Sequence, residues 1–168
     1  MSQQNEQFDE IFDVLVVGSG CGGLTAALTA DIASPAKVLV IEKSHLIGGT
    51  SATSGGVIWI PDNHLGKEKG AEDSIAEAKQ YLQATIPEDE FNEPLIDTYL
   101  DQGPKMVKFM EDNTDARYTS LEHYPDYFQD APGVKLGNRA LEPLPVSADT
   151  LDDDVDNLHP SGPQTIVF

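Results

Sequence analysis

Gly18-Ser-Gly-Cys-Gly-Gly23 sits between an apolar β-branched run and a helix-forming one, and this junction constrains the fold more than any other stretch of the chain. Before it, Ile11-Phe-Asp-Val-Leu-Val-Val17 has almost no polar alternation, the pattern of a parallel strand covered on both faces. After it, Leu24-Thr-Ala-Ala-Leu-Thr-Ala-Asp-Ile-Ala33 combines small residues with strong helix formers. It stops near Pro35, because a proline disfavours helical backbone at the residue before it. Lys37-Val-Leu-Val-Ile41 is then a second strand, ending at Glu42. Strand, tight turn, helix and strand within about 30 residues make one βαβ unit, a crossover that is nearly always right-handed.

With 14 glycines in 168 residues, the bare pattern G-x-G-x-x-G arises roughly 0.1 times per chain by composition, so its weight comes from its setting. Gly18 permits a sharp turn, Gly20 lets the backbone approach a pyrophosphate, and Gly23 lets helix and strand pack closely. The helix then offers unpaired N–H groups and the positive end of its dipole to an anion. Glu42 is placed to accept hydrogen bonds from a ribose hydroxyl. The bland alternative is a glycine-rich turn with Glu42 merely exposed. A second small-residue segment follows, Gly48-Gly-Thr-Ser-Ala-Thr-Ser-Gly-Gly56. Its glycines allow amides to converge in an anion-binding nest, and Thr50, Ser51, Thr53 and Ser54 bring hydroxyls. On composition alone it is equally a flexible Gly/Ser loop.

The remainder reads differently. Glu72 to Thr85 places Ile75, Ala78, Leu82 and Thr85 on one helical face, with Asp73 or Ser74 available as cap. Phe91 to Asp112 carries an apolar stripe through Leu95, Ile96, Tyr99, Leu100, Met106, Val107 and Met110, expected to be core. Gly103-Pro104 predicts two helices or a kinked one. From Arg117 onward the pattern predicts irregular chain. The organisation expected is a βαβ unit and glycine-rich loop over 1–66, then a helical and irregular region over 67–168.

Charge narrows the function classes. Ten Lys+Arg against 29 Asp+Glu give a net charge of −19, which repels phosphodiester backbones and anionic lipid, so no nucleic-acid or membrane-surface partner is expected. The longest aliphatic runs are four residues, far below the roughly 20 that span a bilayer. A single cysteine, Cys21, excludes an intramolecular disulfide, and the N-terminus has no basic start or apolar stretch of a secretory signal, so a cytoplasmic setting is expected. The four histidines show no ligand spacing and no metal set is expected. Asp149 to Asp156 reads as a solvated acidic loop.

Three stretches, Phe12 to Ala27, Val38 to Lys43 and Ile47 to Pro61, resemble the FAD-binding segments of the fumarate reductase and 3-ketosteroid dehydrogenase flavoproteins. Gly48-Gly-Thr-Ser51, Ile58-Trp-Ile-Pro61, Tyr124-Pro-Asp-Tyr-Phe128 and Gly137-Asn-Arg-Ala-Leu-Glu-Pro143 are similar to the ketosteroid dehydrogenase branch. The resemblance implies an α/β fold with a Rossmann-type βαβ unit, followed by helices and irregular segments in an incomplete doubly wound domain. It implies FAD held by Gly18, Ser19, Gly20, Gly23, Glu42 and Lys43 on the ADP side. Gly48, Gly49, Thr50, Ser51, Ser54, Gly55 and Gly56 would hold the pyrophosphate and flavin side. Attachment is expected to be non-covalent, since the serine-rich loop has no histidine. Tyr127 matches an active-site tyrosine that supports the catalytic base; on its residues alone it is a loop aromatic with a buried ring. The implied chemistry is dehydrogenation of a carbonyl-activated C–C bond, with a small-molecule substrate such as a 3-ketosteroid and an external electron acceptor. The alternatives are a fumarate-reductase-like reduction of an activated alkene, or a catalytically inactive nucleotide-binding remnant. The base and the ketone clamp find no counterpart by Phe168, so the chain is expected to be a portion of a larger flavoprotein or a truncated product, poorly stable alone.

Overall fold

The computed structural model describes residues 10–160. By its contacts the chain divides into two compact units, residues 56–146 forming the second, with segments on both sides of it, 10–55 and 147–160, belonging to the first.

The first unit is built on β1 (Val14–Val17), α1 (Cys21–Ala33) and β2 (Val38–Ile41). The two strands pair in parallel, from Val14 beside Val38 to Val17 beside Ile41. The strand expected from Ile11 starts only at Val14. Just before it the Asp13 amide donates to the Lys37 carbonyl (2.9 Å), while the Asp13 carboxylate accepts the Lys37 amide (2.8 Å). The expected burial on both faces is not found: half-buried and exposed residues alternate along β1, and Val17 is 77% exposed. The helix starts three residues earlier than its apolar run, at Cys21. A short helix α2 (Gly49–Ala52) follows. Farther along the chain two 3-10 turns, Ala148–Thr150 and Asp152–Asn157, return to this unit, where Ile47 and Leu158 form a parallel bridge.

The second unit contains β3 (Ile58–Trp59), α3 (His64–Glu68), α4 (Ile75–Thr85), α5 (Glu93–Asn113), β4 (Tyr118–Ser120) and β5 (Ala140–Pro143). Here the expectation of helices and irregular chain is incomplete: β3, β5 and β4 form a three-stranded antiparallel sheet in that order. The chain therefore mixes helices with one parallel and one antiparallel sheet. Ser74 rather than Asp73 caps α4, its Oγ accepting the Glu77 amide (3.2 Å) and donating to the Glu77 carboxylate (2.9 Å). Asn92 caps α5 the same way through the Leu95 amide (3.1 Å).

The break expected at Gly103-Pro104 does not divide α5, which runs continuously through Pro104. Loss of one backbone hydrogen bond there is offset by burial of Ile96, Leu100, Gly103, Val107 and Met110 on either side. Gly103 lies against Ile60, where an added Cβ would sit 3.3 Å from its Cδ1. The buried stripe is narrower than the sequence pattern: Leu95 is 65% exposed and Tyr99 half exposed. Two clusters form the core, Ile60 with Val107 and Leu141, and Ala78 with Ile96 and Leu100. Among the described residues no helix is long and apolar enough to cross a membrane.

Candidate functional site

Within the first unit the two glycine-rich segments meet at the N-terminus of α1. Gly20 is the N-cap and brings no side chain, and no acidic residue stands in the first turn. Gly23 is obligatory by close approach: a Cβ there would lie 2.0 Å from the Gly18 carbonyl oxygen. Gly48 carries φ of 97°, in the left-handed region, and turns the second segment into α2. Gly49, at φ of 53°, is also in the left-handed region and stands in van der Waals contact with Gly20, its Cβ position 3.7 Å from the Gly20 Cα.

Ser19 joins the pieces. It is buried, its hydroxyl donates to Glu42 Oε2 (2.7 Å) and accepts the Gly48 amide (2.9 Å), and its own amide donates to the same Glu42 oxygen (3.0 Å). The other Glu42 oxygen accepts the Ser44 amide (3.0 Å). The Ser19 hydroxyl, with help from the Ser19 and Ser44 amides, holds the Glu42 carboxyl down at about 2 from an ordinary 4.5, so it is ionised at any physiological pH. Ser51 Oγ accepts the Cys21 amide (3.0 Å) at the helix mouth. Among the described residues nothing accepts the Ser51 hydroxyl's own proton.

The remaining predicted residues have distinct places. Thr50 is exposed on α2, and Ser54 folds back so that its hydroxyl donates to the Ser51 carbonyl (2.9 Å). Lys43 and Gly55 are exposed. Gly56 and Tyr127 belong to the second unit. Gly56 packs against Pro143, and a Cβ would lie 2.8 Å from its Cγ. The structure thus brings Gly18, Ser19, Gly20, Gly23, Glu42, Gly48, Gly49 and Ser51 together. This donor set fits a dinucleotide: free amides and a dipole end for a diphosphate, a hydroxyl proton beside them, and an ionised carboxylate able to take ribose hydroxyls.

Tyr127 is 85% exposed, so the reading of a buried ring is overturned. It stands at a cavity of about 310 Å³ lined by Val57, Trp59, Tyr81, Leu82 and the segment 124–128. Its hydrogen bond to Tyr127 holds the Tyr124 phenol in its protonated form and pushes it above its ordinary value. Beside this cavity lies an ion group that the sequence reading did not find, having considered Asp73 only as a helix cap. Arg139, 1% exposed, donates through Nε and Nη2 to both oxygens of Asp73 (3.0 and 2.7 Å) and through Nη1 to Asp126 (2.9 Å). Its guanidinium also lies over the rings of Trp59 (5.5 Å) and Tyr81 (5.9 Å). Burial pushes the Asp73 carboxyl up, but the hydrogen bonds from Arg139 and the Asp62 amide outweigh it and leave it below the ordinary carboxylate range. Segments 58–61, 124–128 and 137–143 were visible as blocks in the sequence; that a charge lies at their junction was not.

Residues 13–146 match the protein-family model described as FAD binding domain. The chain is 42% identical over 149 residues to 3-oxosteroid 1-dehydrogenase of Mycolicibacterium smegmatis, covering 89% of this chain and 26% of that protein. It is 41% identical over 152 residues to 4-oxocyclohexanecarboxylate 2-dehydrogenase of Sinomonas cyclohexanicum, covering 90% and 26%. The crystal structure of 3-ketosteroid Δ1-dehydrogenase from Sterolibacterium denitrificans, in complex with 1,4-androstadiene-3,17-dione, superposes with a TM-score of 0.84 at 40% identity, over 92% of this chain and 27% of that one. The chain spans about a quarter of the length of these relatives.

Proposed function

The chain belongs to the FAD binding domain family, and from that premise we propose that it forms the nucleotide-gripping part of a flavin-dependent oxidoreductase that dehydrogenates a C–C bond beside a ring ketone. The two curated relatives act, by their names, on a 3-oxosteroid and on 4-oxocyclohexanecarboxylate. What those compounds share is a six-membered ring carrying a ketone, and that is the substrate class assigned here.

The parallel β1-α1-β2 unit is read as Rossmann-type, with the diphosphate of FAD at the α1 mouth. The amides of Gly20, Gly22 and Gly23 face the anion, and Ser51 donates its hydroxyl proton. Glu42 takes the ribose hydroxyls, sharing its oxygens with Ser19. Lys43 adds a cation nearby. Gly48, Gly49, Thr50, Ser54 and Gly55 line the flavin side, without covalent attachment. When bound, FAD would supply a two-electron acceptor for the hydride of the C–C bond, its electrons leaving to an external acceptor. Removal of the proton next to the ketone needs a base and a hydrogen-bond donor on the carbonyl oxygen. Tyr127 is assigned the supporting part, its exposed hydroxyl hydrogen-bonding the base.

The observation that carries this reading is the junction of Gly20, Gly49, Ser19 and Glu42 at one helix mouth. Titration of the purified chain with FAD, followed by flavin fluorescence, tests it. The chain is expected to bind FAD and release it intact on denaturation, and Glu42→Ala to weaken binding about tenfold or more, the loss of a charge-assisted hydrogen bond. No FAD uptake by the unaltered, folded chain would overturn the proposal.

A further inference from the structure

We propose that Asp126, locked by Arg139, is a positioning residue whose task is to fix the aromatic segment 124–128 so that Tyr127 projects from an immobile base. The inference rests on the function proposed above only in naming Tyr127 as the residue to be positioned; the lock itself is a matter of geometry.

Both carboxylate oxygens of Asp126 and its backbone amide are engaged. Oδ1 accepts the Trp59 indole N–H (2.6 Å), and Oδ2 accepts Arg139 Nη1 (2.9 Å) and the Lys135 amide (2.9 Å). Its own amide donates to the Lys135 carbonyl (2.9 Å). Two residues later the Phe128 amide donates to the Tyr81 hydroxyl (3.1 Å). Tyr127 therefore has a pinned residue on each side. Its ring is held out while Asp126 beside it is 5% exposed.

Arg139 is in turn fixed from behind. Its fork grips both oxygens of Asp73, which also accepts the amides of Asp62 (3.0 Å) and Ser74 (2.9 Å), at the start of α4. Stability alone does not call for such a group, because well-packed apolar residues of the same volume serve as well or better than a buried ion pair. What the guanidinium adds is direction: a planar fork accepts its partners in one orientation, where an apolar contact lets them slide. The return of the chain is equally tight. Gly133, at φ of 77°, lies against α4 so that a Cβ would stand 2.2 Å from the Glu77 carbonyl oxygen. The lock thus ties β3, the start of α4, the 124–128 segment and β5 to one another at a single charged centre.

The test uses the full chain labelled with 3-fluorotyrosine and read by fluorine NMR, with the five tyrosines assigned by Tyr→Phe exchange. Asp126→Asn removes the charge and keeps an acceptor for Trp59. The Tyr124 and Tyr127 signals are expected to shift or broaden while Tyr118, on β4, stays in place. The raised titration of Tyr124 is expected to fall back toward the ordinary phenol value as its neighbour loosens. Should Asp126→Asn unfold the unit, moving Tyr118 as well, Tyr81→Phe decides instead: it deletes only the hydroxyl that holds the Phe128 amide, and the Tyr127 signal is expected to move alone with Tyr124. Unchanged Tyr124 and Tyr127 signals in a folded variant overturn the lock. FAD uptake is read separately on the same samples, so a chain that fails to bind FAD but shows the fluorine response refutes the functional reading and leaves the positioning role standing.

Discussion

The two units place their free energy in opposite ways. Among the described residues nine of the ten buried apolar side chains, from Ile60 to Leu141, lie in 56–146, and Ala27 is the only one in the first unit. The second unit also has side-chain caps on α3, α4 and α5 and a buried ion triad. In the first unit Leu15 and Val17 are mostly exposed, and α1 has no side-chain cap at its start. Apolar surface left in water forgoes about 25 cal/mol per Å². The difference shows what each unit is made for. A glycine mouth needs backbone that comes close, which small residues give without any core; a fixed aromatic platform needs side chains that interlock.

Arg139→Met probes the contrast hardest. It leaves Asp73 and Asp126 buried without their cation, and a cost of about 3–5 kcal/mol is expected in denaturant unfolding followed by Trp59, the only tryptophan. Hydrogen exchange over 10–55 should stay as it was; faster exchange there would mean that the two units do not stand apart energetically. A smaller effect, about 1 kcal/mol in the same unfolding, is expected for Ser74→Ala, which removes the cap of α4. Val17→Thr, on the exposed face of β1, should stay within about 0.5 kcal/mol. A cost of 2 kcal/mol or more would show that this face is buried in solution and erase the comparison.

The last prediction is of no change. Glu42 is held at about 2 in the folded chain against 4.5 when free, so its hydrogen bonds contribute fully above pH 4.5 and are lost only as the pH falls from there through about 2. Affinity for FAD should therefore be flat between pH 8 and 5 as far as this carboxylate is concerned. A carbon NMR titration of the carboxyl groups should show the Glu42 signal unmoved over that range and titrating near 2; a midpoint near 4.5 would show that Ser19 does not hold it.

Much of the first unit was legible because its signals are local. The run Val14 to Val17, the glycines 18 to 23 and the second run Val38 to Ile41 each state their conformation within a few residues, and Glu42 follows from the end of the strand. That α4 starts with a side-chain cap was legible for the same reason, but the choice of Ser74 over Asp73 was not. The antiparallel sheet was not, since Ile58, Ser120 and Leu141 become strand residues only through partners far away in the chain. Periodicity gave α5 its apolar side but not the width of the buried stripe, so Leu95 was misplaced. Arg139 is the sharpest case: an arginine reads as surface until Asp73 and Asp126, each far from it in sequence, are seen around it.

Gly56 and Pro143, packed together near the two limits of the second unit, carry a consequence beyond their own contact. A module whose two ends adjoin can enter or leave a host chain through one small opening, and domain insertion in proteins favours such ends. On the host side Ile47 and Leu158 remain stitched by paired backbone hydrogen bonds of 2.8 and 2.9 Å, the Ile47 amide to Asn157 and the His159 amide to Ile47. The second unit is in this sense laid out as a cassette, a continuous stretch of chain held between two segments that stay paired without it.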